Sequence, residues 1–197
     1  MDALFSCFKE AIGVLKRRKT WWISFGATIL LGIILGLVLP KPAAIRQYYA
    51  TYCRTYVDEI FAASVIKLFL KRLFAATLLL LLFVPLYFTA YYLPVAFLIV
   101  FFKGYTFGIV TVVLLSSFGV NGFFIFLICM LPSAILMFAL LVVACVLGFD
   151  TSKKRVPVCG SFGVLRWFLL LFVGVIACAL TETLLVAVIF RPISKIF

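Results

Sequence analysis

The chain has 197 residues, 67% hydrophobic and 12% charged, with a net charge of +12 and no histidine; its mean hydropathy is +1.32. A soluble domain carries roughly 45–50% apolar and about 25% charged residues, and a small globule leaves too much of its surface in water to hide the excess, so the composition excludes a soluble fold and points to an integral membrane protein. The basic residues gather at the ends of apolar runs, at 16–19, 67–72 and 153–155, where headgroup contacts and topology signals sit, which argues against nucleic acid as a partner and for membrane lipids.

Taken in chain order, residues 1–20 set Leu4, Phe5, Phe8, Ile12 and Leu15 on one helical face, the pattern of an amphipathic helix lying in the headgroup plane. Trp21 and Trp22 follow as an interfacial anchor. The first span is expected over 22–39. Its apolar core is longer than that of a typical signal peptide and no clear A-x-A site precedes Pro40, so retention as an anchor is expected over cleavage. Gly26, Gly32 and Gly36 line up along it, the last two as G-x-x-x-G, a spacing that lets another helix approach closely, whether from the same chain or from a partner.

Residues 40–72 are the most polar stretch. Pro40 and Pro42 end the first span; Ile45, Tyr48, Tyr49, Tyr52, Tyr56 and Ile60 then recur at helical spacing among Arg46, Arg54, Asp58 and Glu59. One or two amphipathic helices on the membrane surface are expected, too short for an enzyme domain but suited to docking. A second span over 73–91 contains Pro85 as a kink. A third over 95–117 meets a fourth over 123–147 at the hinge 116–122, giving a central hairpin over 94–150 that Pro132 interrupts as a helix break. A polar loop over 148–163 leads to a fifth span over 165–190. The fold class is thus all-α: one polytopic membrane domain over 1–197 with about five transmembrane helices, four or six if one is re-entrant, plus the interfacial helices. The basic amino terminus and the basic 148–166 loop then share one side, read as cytoplasmic, although the segment 40–72 left outside is basic too.

Lys103 and Glu182 are the ionisable residues deep inside these spans. An isolated charge at mid-bilayer costs about 2.5–3.5 kcal/mol on insertion scales, so both need partners, water or neutrality. Either they pair with each other, or Lys103 snorkels and Glu182 is protonated. The six cysteines (Cys7, Cys53, Cys129, Cys145, Cys159, Cys178) have no paired spacing and read as small apolar filler; no metal or cofactor site is expected. Ser133 follows a proline, where a serine satisfies freed backbone carbonyls more often than it attacks a substrate, so no enzyme is expected. An ion-coupled carrier is the other reading that a lone membrane charge supports.

The hairpin sequence Phe102-Lys103-Gly104-Tyr105-Thr106-Phe107-Gly108, then Gly119-Val120-Asn121-Gly122, then Leu131-Pro132-Ser133 resembles the stage II sporulation protein M family in order and spacing over 100–150. Glu182 and Pro192 fit the same pattern more loosely, and Ser133 departs from the Gln or His-Gly that often follows the central proline. The resemblance implies a multi-pass cell-membrane scaffold for engulfment during endospore formation. It would sit at the septal membrane and anchor the sporulation proteins D and P, which thin septal peptidoglycan. It also implies that Gly104, Gly108, Gly119 and Gly122, with Gly32 and Gly36, serve helix packing. A permease-like or ion-coupled transport component is the alternative.

Overall fold

The computed structural model describes residues 13, 16–86, 91–153, 160–190 and 192, with side chains described for 13, 16–82, 91–149, 168–189 and 192. The amphipathic helix expected over 1–20 lies almost wholly outside these residues, as does the middle of the expected 148–163 loop; the two described ends of that loop are helical instead, because the flanking helices run on to Lys153 and from Gly160. The described chain is helical: α1 Lys19–Val38, α2 Ala43–Ala62, α3 Val65–Leu86, α4 Tyr92–Ile125, α5 Leu131–Lys153 and α6 Gly160–Leu184, with π-helical turns at Phe126–Met130 and Leu185–Phe190. Among the described residues three stretches are long and apolar enough to cross a membrane: Lys19–Val38, Tyr92–Phe149 and Phe168–Ile189.

The ends of α1, α2 and α3 follow local chemistry. Leu39 leaves the helix at φ −64°, ψ 135°, as expected of a residue before proline. Pro42, whose missing N–H costs nothing at a helix start, is the N-cap of α2. Ser64 then opens α3, its Oγ accepting the Lys67 N–H at 3.3 Å, in the usual manner of an N-cap serine. The boundary therefore differs from the expected one: Lys67, Lys71 and Arg72 belong to α3, not to the surface segment before it. On that helix Leu68 and Arg72, one turn apart, face inward, whereas Lys67 and Lys71 are exposed; Lys71 pairs with Glu59 of α2.

The 58-residue apolar stretch Tyr92–Phe149 doubles back on itself at Gly119, whose φ of 54° and ψ of −128° interrupt α4. Only glycine enters that region without a steric penalty. The two arms run antiparallel. At their open end the Tyr92 hydroxyl donates to the carbonyls of Ala144 and Cys145 at 3.2 and 3.0 Å. Further along, the Phe107 ring meets Phe126 and Phe138 with centroids 5.9 and 5.4 Å apart. Next to the turn, a Cβ on Gly122 would lie 2.5 Å from the Leu114 carbonyl oxygen, so the arms meet backbone to backbone there.

Helix α1 lies against the first arm of this hairpin. A Cβ on Gly32 would strike the Phe101 carbonyl oxygen and one on Gly36 the Tyr105 carbonyl oxygen. Reciprocally, Cβ atoms on Gly104 and Gly108 would lie 2.5 Å from the carbonyl oxygens of Ile29 and Ile33. The two G-x-x-x-G pairs thus face each other within one chain, and neither is left over for a partner. Where lipid removes the hydrophobic drive between helices, close approach supplies dispersion contact instead. Around this seam Phe25, Ile29, Ala96 and Val100 are buried, and Phe25 stacks on Phe97 at 4.4 Å. The opposite side of α1 exposes Ile23, Leu30, Leu31 and Ile34, as lipid contact allows and water would not.

Gly26 has open space where its Cβ would go, whereas Gly36 meets backbone. Gly26→Ala is therefore neutral or stabilising by up to about 1 kcal/mol, while Gly36→Ala destabilises by about 1–3 kcal/mol through overpacking. Thermal denaturation in detergent compares them; equal midpoints for the two variants would refute the seam. Gly119→Ala costs a further about 1–3 kcal/mol of backbone strain, read by the same assay.

Candidate functional site

Helix α4 carries different chemistry on different faces. Gly104 and Gly108 turn to α1, whereas Lys103, Thr106, Phe107 and Val110, spaced i, i+3, i+4, i+7, line a cavity of about 350 Å³. Four more helices close it. Tyr48, Tyr49, Tyr52 and Tyr56 come from α2, Arg72 from α3, Ser133 and Met137 from α5, and Glu182 from α6.

Its charged side chains are Arg72, Lys103 and Glu182. Glu182 Oε1 accepts the Tyr56 hydroxyl at 2.9 Å and lies 3.0 Å from Arg72 Nε, with both charged side chains only 13–14% exposed. The Arg72 guanidinium sits 4.4 Å from the centroid of the Tyr56 ring, a cation–π contact that gains strength from desolvation. Yet Arg72 Nε and Nη2 are buried without a hydrogen-bond partner. The Arg72–Glu182 contact is thus an ion pair in which the N–H is not aimed at the carboxylate oxygen, and it leaves donors of the guanidinium free.

Lys103 and Glu182 share the cavity but do not pair. Among the described residues no carboxylate lies within ion-pair distance of Lys103. The carboxylate is taken instead by Arg72 and Tyr56, two residues that the sequence had assigned to a headgroup-facing segment. Their signal was present but faint: Arg72 follows buried Leu68 by four and precedes Ala75 and Ala76, a small-residue face within an otherwise bulky helix.

Helix α2 is likewise more than a surface helix. Cys53, Tyr56, Val57 and Ile60 are buried, in one cluster with Ile109, Val110, Val113 and Leu114 of α4. Arg46, Arg54 and Asp58 occupy its exposed side. Burial pushes the Cys53 thiol up to about 11. Burial, reinforced by the Glu182 charge, raises the Tyr56 phenol well above its ordinary value, so Tyr56 remains the donor to Glu182.

Pro132 does not end a helix: α5 runs through it. Its missing N–H and its ring would disturb the preceding turn, and the chain absorbs this by widening Phe126–Met130 into a π-turn, with the Leu131 N–H reaching Phe126 O. Ser133 Oγ then donates to the carbonyls of Cys129 and Met130 at 3.3 and 3.1 Å. The interruption within the hairpin is at Gly119. Cys129, Cys145 and Cys178 are free, buried thiols, and among the described residues no three cysteine or carboxylate side chains form a group able to hold a metal ion. What the cavity offers chemically is fixed charge in a low-dielectric setting.

No family model, no curated protein and no solved structure matches this chain.

Tyr56→Phe removes a hydrogen bond to a charged acceptor and destabilises the protein by about 1.5–3 kcal/mol, measured as loss of thermal or denaturant stability in detergent. Cys53 stays unlabelled by maleimide in intact membranes from either side, because it is 1% exposed and holds its proton. A cysteine at exposed Thr55 labels from one side. Ready labelling of Cys53 would contradict its seat against α4.

Proposed function

We propose that this chain is a multi-pass membrane scaffold of about five spans without an active site of its own. It would serve engulfment during endospore formation at the septal membrane, with its amino terminus cytoplasmic and the sporulation proteins D and P as docked partners. One observation carries the reading most. The residues that bear the resemblance are spent on architecture: Gly104 and Gly108 on the α1 seam, Gly119 on the turn, Gly122 on the arm contact. A rigid core of this kind holds the outer side of α2, with Arg46, Arg54 and Asp58, in a fixed position for a partner. Rim charges of this sort govern encounter and orientation more than stability.

A specific observation favours a second reading. A cavity with two cations and one carboxylate, lined by five helices, is the kind of intramembrane polar group that marks ion or solute paths in transporters. The two readings separate by experiment. Charge reversal at Arg46 and Arg54 lowers recovery of protein D or P in pull-downs at least tenfold while the thermal midpoint is unchanged; unaltered recovery would sink the scaffold reading. A solute or ion flux in liposomes that disappears in Lys103→Met would establish the permease-like reading in its place.

A further inference from the structure

Among the described residues the cavity is short of one negative charge. Arg72, Lys103 and Glu182 all line it, so two cations face one carboxylate and the formal sum is +1. The single carboxylate is engaged by Arg72 and Tyr56. Nη2 of Arg72 nevertheless remains buried without a partner, while Nε is 3.0 Å from the carboxylate but not aimed at it, and Lys103 has no ion-pair partner among the described residues. Buried charges are normally paired, and buried donors are normally hydrogen-bonded, so that each exception asks for a missing partner. Two cationic groups on different helices thus line one cavity, each with capacity left over.

The rest of the cavity restricts what that anion is attached to. Its wall beyond the charges is apolar and adaptable, with Ala76, Phe107, Met137 and Phe138; methionine in particular repacks around irregular chains. Its rim has tyrosines, among them Tyr48, which is 68% exposed, and tyrosine suits the boundary between headgroup and hydrocarbon. At about 350 Å³ the space lies at the low end of ligand pockets, which run from about 300 to 1,000 Å³. That is room for an anionic group and the first part of a chain, not for a whole lipid.

We propose that this cavity binds a singly charged phosphate or carboxylate group between Lys103 and Arg72, and that an amphiphile delivers it, the head held by the two cations and the start of its alkyl chain lying along Phe107, Met137 and Phe138. Glu182 serves as a positioning residue that holds Arg72 in place. The inference goes beyond both functional readings above and depends on neither partner docking nor flux, because it is tested on the purified chain alone.

The test is a thermal-shift titration of the full chain in uncharged detergent with four probes: dioleoyl phosphatidic acid, oleate, inorganic phosphate and dioleoyl phosphatidylcholine. Phosphatidic acid or oleate is expected to raise the midpoint saturably, while phosphatidylcholine has no saturable effect. Lys103→Met, which removes an uncompensated charge and so folds at least as well as the parent, is expected to weaken the anionic amphiphiles at least tenfold, and Lys103→Arg to retain them. Saturable stabilisation by inorganic phosphate at the concentrations that suffice for phosphatidic acid would overturn the amphiphile as the source and assign a free anion. Equal stabilisation of the parent and Lys103→Met, or an equal effect of phosphatidylcholine, would overturn the anion site itself.

Discussion

Glu182 can satisfy one of two cations, and the character of the cavity follows from which one it takes. In a medium of low dielectric, removing one partner of a buried ion pair is far more costly than removing both. The carboxylate is claimed by Arg72 at 3.0 Å and by the Tyr56 hydroxyl at 2.9 Å, from two helices packed beside it. Lys103 is left facing the same space with no counter-charge among the described residues. That surplus makes the cavity a place where a ligand is wanted and not merely a packing defect.

The position of Lys103 is in turn set by its neighbour. Gly104 brings α4 against the α1 backbone at Ile29, and one residue earlier on the same helix the lysine points a different way, into the cavity with Thr106 and Phe107. A bulky residue at Gly104 or Gly108 would push α4 away from α1 and shift that whole face. The seam and the site are thus two sides of one helix, and the turn at Gly119 and the π-turn before Pro132 bring Ser133 and Met137 back to complete the wall.

Much of this was legible in the sequence, and for stated reasons. Long apolar runs locate α1, the hairpin arms and α6 because nothing else tolerates such composition, and Gly119 lies within the expected hinge because turns need glycine there. The α2–α3 region was harder to read. Arg72 ends a basic run, and basic residues at the end of an apolar run ordinarily meet headgroups; that it turns inward depends on helix α3 starting at Val65, which Ser64 signals only weakly. The tyrosines of α2 match an interfacial stripe equally well whether they face lipid headgroups or a cavity. Pro132 reads as a break by its chemistry alone, and the π-turn that accommodates it has no sequence signature. The Lys103–Glu182 pairing was the economical assumption only while Arg72 was counted among surface charges.

The most direct measurement is a pair of double-mutant cycles in lipid nanodiscs, one on Arg72→Met with Glu182→Gln and one on Lys103→Met with Glu182→Gln. Measured by thermal unfolding, the Arg72–Glu182 coupling is expected to be the larger, about 3–5 kcal/mol, the range that breaking a buried pair costs, with the double variant more stable than either single one. The Lys103–Glu182 coupling is expected to be well below it. A larger coupling to Lys103 than to Arg72 would contradict the arrangement from which the rest has been argued.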